Sequence, residues 1–242
     1  GRMPVRRSIS DVSPRQRLSA DSYVPDSDDL NVLARAARRC HGCPLFARAT
    51  QTVFGEGPVD ADIMLVGEQP GDAEDIAGRP FVGPAGRLLD RALADAGLSR
   101  DRAFVTNAVK HFKWEPRGRR RIHKRPSTAE TSACRAWLDA EIRAVHPRVI
   151  VLLGATAAQS LVSPGFRLMQ HRGDTLTLAS GTPALATRHP SSVLRAPGDD
   201  ERRRAYEELV SDLKRARVLI ERRPGRRVSR LRAAGTRVGT RR

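Results

Sequence analysis

Aromatic side chains make up only 4% of the 242-residue chain, and there are only three cysteines. A core with so few rings must rest on Ala, Val, Leu and Ile, within an apolar content of 39%. Long hydrophobic runs are missing. The longest, Val149 to Leu153, is far short of the roughly 20 residues that a bilayer-spanning helix takes. No early segment reads as a secretory signal, so the expectation is a cytoplasmic protein with no membrane partner. A phosphate-binding loop ending in Lys-Ser/Thr and a GxGxxG turn are also absent, which leaves nucleotide cofactors unsupported. An odd number of thiols in a reducing compartment points to metal binding or chemistry rather than to disulfides.

Positive charge, by contrast, is abundant: 44 Lys and Arg face 27 Asp and Glu, a net of +17. From Lys214 to Arg242 there are twelve basic residues and one acid, Glu221. Blocks of this kind are commonly disordered, and they raise affinity for nucleic acid by counterion release. Residues 1–27, rich in Ser, Pro and charge, read as a disordered leader. The division expected is therefore a leader over 1–27, one domain over 28–213 and a basic tail over 214–242. A chain of this length suits one such domain, expected to act as a monomer.

Within that domain the patterning predicts alternating elements. A helix over Asp29–Arg39 is capped by Asp28 or Asp29. Strands are predicted at Asp62–Val66, Ala103–Val109, Arg148–Leu153 and Thr182–Thr187. Helices are predicted at Pro84–Ala96, from the Ser127-Thr-Ala-Glu130 capping box to Val145, at Ala155–Leu161 and at Asp199–Arg217. The fold class expected is α/β: three α/β/α layers around a four-stranded, parallel, twisted sheet. In such sheets ligands bind beyond the carboxyl ends of the strands. Gly67-Glu-Gln-Pro-Gly71 follows the first strand, Asn107 ends the second, and His189-Pro-Ser-Ser192 follows the fourth. Three polar motifs thus meet at one edge.

These segments, with Gly78-Arg-Pro-Phe-Val-Gly-Pro-Ala-Gly86 and Thr106-Asn-Ala-Val-Lys110, resemble the iron–sulfur branch of the uracil-DNA glycosylases, in the family's order and over roughly Cys40 to Val210. Within it the chain most resembles the UdgX-type enzymes, whose members become covalently joined to their DNA. The resemblance implies that uracil-containing DNA, including single-stranded DNA, is the substrate, with the base flipped into a pocket before its glycosidic bond breaks. It implies that Phe81 stacks on the uracil and that Asn107 reads its edge, since an amide matches O4 and N3–H together. Gln69, Gly71 and Asp72 join them as substrate-binding positions. His189 stabilises the charge developing on uracil O2. Ser191, Ser192 and Arg195 are expected to contact DNA, and Leu194 or Arg195 to wedge into the gap that flipping leaves.

Two departures matter. Where other uracil glycosylases carry a water-positioning Asp, this chain has Gln69, and an amide cannot act as a base. Between Lys110 and Arg125 there are eight basic residues and one acid, in an insertion containing Arg119-Arg-Arg-Ile-His-Lys124. By resemblance His123 is a nucleophile toward the sugar, oriented by Glu68, and such a self-made crosslink implies a single turnover. Arg119, Arg120, Arg121 and Lys124 would bind phosphates. The alternatives are an ordinary glycosylase that uses water and turns over, or a noncatalytic iron–sulfur module that binds nucleic acid.

Cys40-x2-Cys43 taken alone suits zinc, an iron–sulfur cluster or a redox pair. The family uses four cysteines, and its third position falls here on His111. The resemblance therefore implies a 4Fe–4S cluster held by Cys40, Cys43, His111 and Cys134.

Overall fold

The computed structural model describes residues 18–222. Asp29 caps α1 (Leu30–Ala37) through its side chain. β1 (Ile63–Gly67) follows, then α2 (Asp72–Ala77), α3 (Pro84–Asp95) and β2 (Ala103–Asn107). The insertion folds as β3 (Trp114–Arg117) and β4 (Arg120–His123). The Ser127/Glu130 capping box opens α4 (Thr128–Val145), which leads to β5 (Val149–Leu153) and α5 (Ala155–Leu161). α6 (Leu168–His171), β6 (Thr175–Thr177), β7 (Pro183–Thr187), α7 (Pro190–Leu194) and α8 (Asp199–Arg222) complete the described chain.

The main sheet has the order β2-β1-β5-β7-β6, with the first four strands parallel and β6 antiparallel to β7. Five strands therefore replace the four expected. The extra edge strand, Thr-Leu-Thr, is short and mostly exposed, so it leaves almost no hydrophobic pattern to read. Strand alternation sorts the core into two layers. Ile63, Leu65, Val105 and Val151 face α3 and α8, whereas Met64, Val66, Phe104 and Ile150 face α4 and α5. A third cluster gathers Leu33, Trp137, Val109 and all three cysteines around α1 and α4.

Both outer boundaries differ from expectation. Within the leader, Ala20 is buried, its N–H bonds to Ala133 O at 2.8 Å, and Gly42 has no side chain because Ser19 O would lie 2.5 Å from one. At the other end α8 runs to Arg222, because the buried series Leu209, Leu213, Ala216 and Ile220 carries its apolar stripe past Arg217. The remaining leader and tail, 1–17 and 223–242, lie outside the described residues.

One buried ion pair fixes the carboxyl end of β2. Lys110 Nζ lies 2.6 Å from Glu141 Oε2, with both side chains at most 1% exposed. Nζ also donates to Thr106 Oγ1 and Asn107 O, each at 2.7 Å, while Glu141 Oε1 accepts from Gly55 N at 2.9 Å. A buried charge is tolerable only when satisfied in this way, and here the satisfaction sets the backbone of Asn107.

Candidate active site

β1 and β2 end in register, Gly67 opposite Asn107. A side chain at position 67 would lie 2.4 Å from Asn107 Oδ1 and 2.8 Å from the Phe81 ring. Glycine therefore leaves open the space that the amide and the ring line. Phe81 holds φ of 56°, a left-handed backbone uncommon for a bulky residue and typical of strain kept at working sites. Gly86 makes room for it, since a Cβ there would sit within bonding range of Phe81 O. Glu74 ties the two flanking loops together, accepting from Gly71 N at 3.1 Å and Gly83 N at 3.0 Å.

His189 caps α7 with its own ring. Nδ1 accepts from Ser191 N at 3.1 Å and lies 2.8 Å from Ser191 Oγ. In a neutral ring the proton then sits on Nε2, as a fixed donor. Burial pushes the His189 pKa down to about 4, against a partial upward pull from Glu68. The Phe81 and His189 rings lie 6.2 Å apart, 28° from parallel. Ser192 Oγ donates to His189 O at 2.7 Å, so both serines, expected to contact DNA, also bond the histidine. Leu194 and Arg195 are exposed at the end of α7, where a wedge was expected.

Gln69 is buried and its amide is consumed by the insertion. Nε2 donates to Lys113 O at 3.1 Å and Lys124 O at 3.0 Å, while Oε1 accepts from Lys113 N at 3.1 Å. An amide offers the donors and the acceptor that two facing backbones need, so the side chain is engaged at a position where substrate binding was expected. Gly71 has its N–H spent on Glu74. Asp72 and Arg121 meet each other. Arg121 turns inward, with Nε 2.6 Å from Asp72 Oδ1 and Nη1 2.5 Å from Asp75 Oδ2, and its guanidinium lies over Phe112 and Trp114. It fastens the hairpin to α2, with two carboxylates facing its charge where a phosphate contact was expected. Arg119 and Arg120 stay exposed at the hairpin turn, and Lys124 pairs with Glu115 at 3.1 Å.

Held in this way, β4 presents His123 at the sheet edge. His123 Nε2 lies 3.2 Å from Glu68 Oε1, and its side chain is 49% exposed. Glu68 Oε2 accepts from Thr156 Oγ1. Burial raises the Glu68 pKa, but hydrogen bonds from His123 and Thr156 outweigh it and hold the carboxyl below its ordinary value. Thr156, Glu74 and Lys110 went unrecognised as supports in the sequence. Only Glu74, three residues after a loop glycine, left a local signal.

The three thiols are free and buried in one cluster. Burial pushes Cys134 up to about 12, and Cys40 and Cys43 are close enough to add to that rise. His111 is buried too, yet its Nε2 lies 2.9 Å from Thr52 Oγ1. Among the described residues no group of three or more His, Cys, Asp and Glu is arranged to hold a metal ion. The expected quartet is thus collected in type but not closed in geometry, and the His111 ring faces a hydroxyl.

The ends of the parallel strands thus gather an aromatic ring, a buried amide and a histidine held by α7. Residues 54–214 match the uracil DNA glycosylase superfamily, and the chain belongs to it. Similar proteins include the type-4 uracil-DNA glycosylase of Thermotoga maritima, 35% identical over 181 residues that cover 74% of this chain and 91% of the relative. Those of Pyrobaculum aerophilum and Archaeoglobus fulgidus are 36% and 33% identical, covering 70% and 78% of this chain and 86% and 92% of the relatives. Among the described residues no helix is long and apolar enough to cross a membrane.

Two outcomes follow. Protonating His189 would place a proton on Nδ1 against the Ser191 donors, so its contribution to stability is complete above 6.5 and lost as pH falls toward about 4. Its ring resonances should titrate with a midpoint near about 4, and a midpoint near 6.5 would contradict the bonding described. Gln69→Glu keeps the shape but loses both donations and sets a negative charge against two carbonyls. Amide hydrogen exchange across 114–123 should accelerate by about tenfold, in line with about 1.4 kcal/mol of lost bonding; unchanged exchange would show that Gln69 does not hold the hairpin.

Proposed function

We propose that this chain removes uracil from DNA, single strands included, by breaking the bond between uracil N1 and deoxyribose C1′. The observation that carries this reading is the meeting of Phe81 and Asn107 around Gly67, with the His189 ring beside Phe81. Phe81 stacks on the flipped base and Asn107 pairs with its O4 and N3–H. The N1–C1′ electron pair leaves with uracil, and the charge that spreads to O2 meets the fixed His189 donor, which costs no reorganisation. The sugar is left as an oxocarbenium. Its partners in recognition are the exposed Arg119, Arg120 and Arg195, which meet phosphates.

The type-4 names of the relatives favour water as the group that captures the sugar, with repeated turnover. A specific observation favours a second capture: His123 stands against Glu68, and the Gln69 amide is already engaged at both its nitrogen and its oxygen. In that reading the unprotonated ring nitrogen of His123 attacks C1′. The imidazolium keeps its proton on the other nitrogen, paired with Glu68, and a stable His123–deoxyribose bond remains as in UdgX-type enzymes. We assign Cys40, Cys43, His111 and Cys134 as the ligands of a 4Fe–4S cluster. Three free thiols in one apolar cluster support this, and His111 would exchange its Thr52 partner for iron. Such a cluster would tie α1 to α4 and anchor the segment that leads into β3.

Uracil-containing single-stranded DNA, incubated with the protein and boiled in detergent, separates these readings. Uracil release with a heat-stable shifted band that vanishes in His123→Ala supports capture by the imidazole. Release without that band supports water, and no release at all removes the excision reading. The purified protein is expected to contain iron and acid-labile sulfide and to absorb near ~400 nm; a colourless preparation holding zinc would dismiss the cluster.

A further inference from the structure

Beside the uracil site the molecule carries a groove that no step above uses. It holds about 760 Å³ between the start of α4 and the length of α5. We propose that this groove is a subsite for the single-stranded DNA flank next to the flipped uridine, a proposal that rests on the uracil-excising reading.

Its lining suits a sugar–phosphate chain. Ser132 and Ser163 bring exposed hydroxyls, those of Ser127, Thr131 and Ser160 bond nearby backbone, and among the described residues no Asp or Glu lines it. Hydroxyls and arginines are the usual ligands of DNA backbone. Two arginines stand in the wall. Arg125 gives Nε to Thr156 Oγ1 at 3.1 Å and Nη2 to Gln159 Oε1 at 2.7 Å, both neutral acceptors, with the Glu68 carboxylate farther off at 3.9 Å. Arg135 is anchored by Asp139 at 2.7 Å and by Ser160 O. Val162 and Pro164 add an apolar ledge on which a base or sugar can rest.

The groove is also continuous with the site. Thr156 lines it and donates to Glu68, the carboxylate facing His123. Arg125 lines it as well, 3.9 Å from the same carboxylate and two residues after His123. A strand whose sugar reaches His123 therefore has its next nucleotide at the mouth of the groove. The comparable hollow on the opposite layer, between α3, α7 and α8, holds Asp95 and Asp199 among its arginines, and those carboxylates repel phosphate. Charge thus favours the α4–α5 side.

The test measures single-turnover uracil release with protein in excess, so that any crosslink to product does not matter. A uridine-centred trinucleotide and an 11-nucleotide strand are compared at subsaturating protein. Ser132→Glu and Ser163→Glu, both at exposed positions away from the reacting groups, should lower release from the long strand about fivefold and leave the trinucleotide rate unchanged. Their salt dependence should flatten by about 0.7 in the log–log slope for each phosphate that the groove no longer neutralises. Ser163→Lys should instead raise release from the long strand, which misfolding cannot do. Equal rates for wild type and the Glu variants on the long strand overturn the proposal. So does an equal fall on both substrates, or a fall with Ser163→Lys. Absence of release from either substrate by wild-type protein would instead strike the excision reading.

Discussion

A side-chain amide and a guanidinium together govern how the basic insertion meets the rest of the molecule. Gln69 leaves the end of β1 and grips the backbones of Lys113 and Lys124 with three hydrogen bonds. Each such bond is worth roughly 1 kcal/mol net, yet their joint effect is geometric. They hold the base of the hairpin to the same loop that carries Glu68, so the carboxylate and His123 approach from two strands joined through one neighbour. An aspartate at this position would lack both donors and would face two carbonyl oxygens. The amide at this position and the fastened hairpin are thus one feature seen from two sides.

The remainder of the site follows the same pattern of rigid supports. Lys110 and Glu141 neutralise each other beneath β2 and clamp the Asn107 carbonyl. Glu74 joins the loop of Gly71 to the loop bearing Phe81. Ser191 fixes the His189 tautomer by occupying Nδ1. In each case a side chain that never meets the base decides where one that meets it can stand, which is how precision near half an ångström is kept at a reactive centre. The strain at Phe81 persists only because Gly86 and Glu74 leave its loop little else to do.

Much of this was legible in the residues, and the rest was hidden for physical reasons. The four parallel strands showed as short apolar runs ending in polar motifs, and the ends of α5 fall at Ala155 and Leu161 as expected. The His123–Glu68 approach matched the order of motifs. The inward turn of Arg121 was hidden because a charge run says nothing about which member turns inward. Its partners Asp72 and Asp75 stand 49 and 46 residues earlier in the chain, too far for any local pattern to reveal the pairing. α2 lacks an apolar face and forms around its caps, while β6 is too brief to alternate visibly. His111 was chosen by spacing, and spacing does not report that Thr52 competes for its ring.

The insertion closes on itself. Lys124 N bonds Lys113 O at 2.9 Å, so the chain leaves and re-enters the domain at nearly one point. An appendage with adjoining ends can lengthen, shorten or be cut away without displacing the strands on which it stands. Its excision would leave β2 and α4 to be rejoined across a gap that one backbone hydrogen bond already spans.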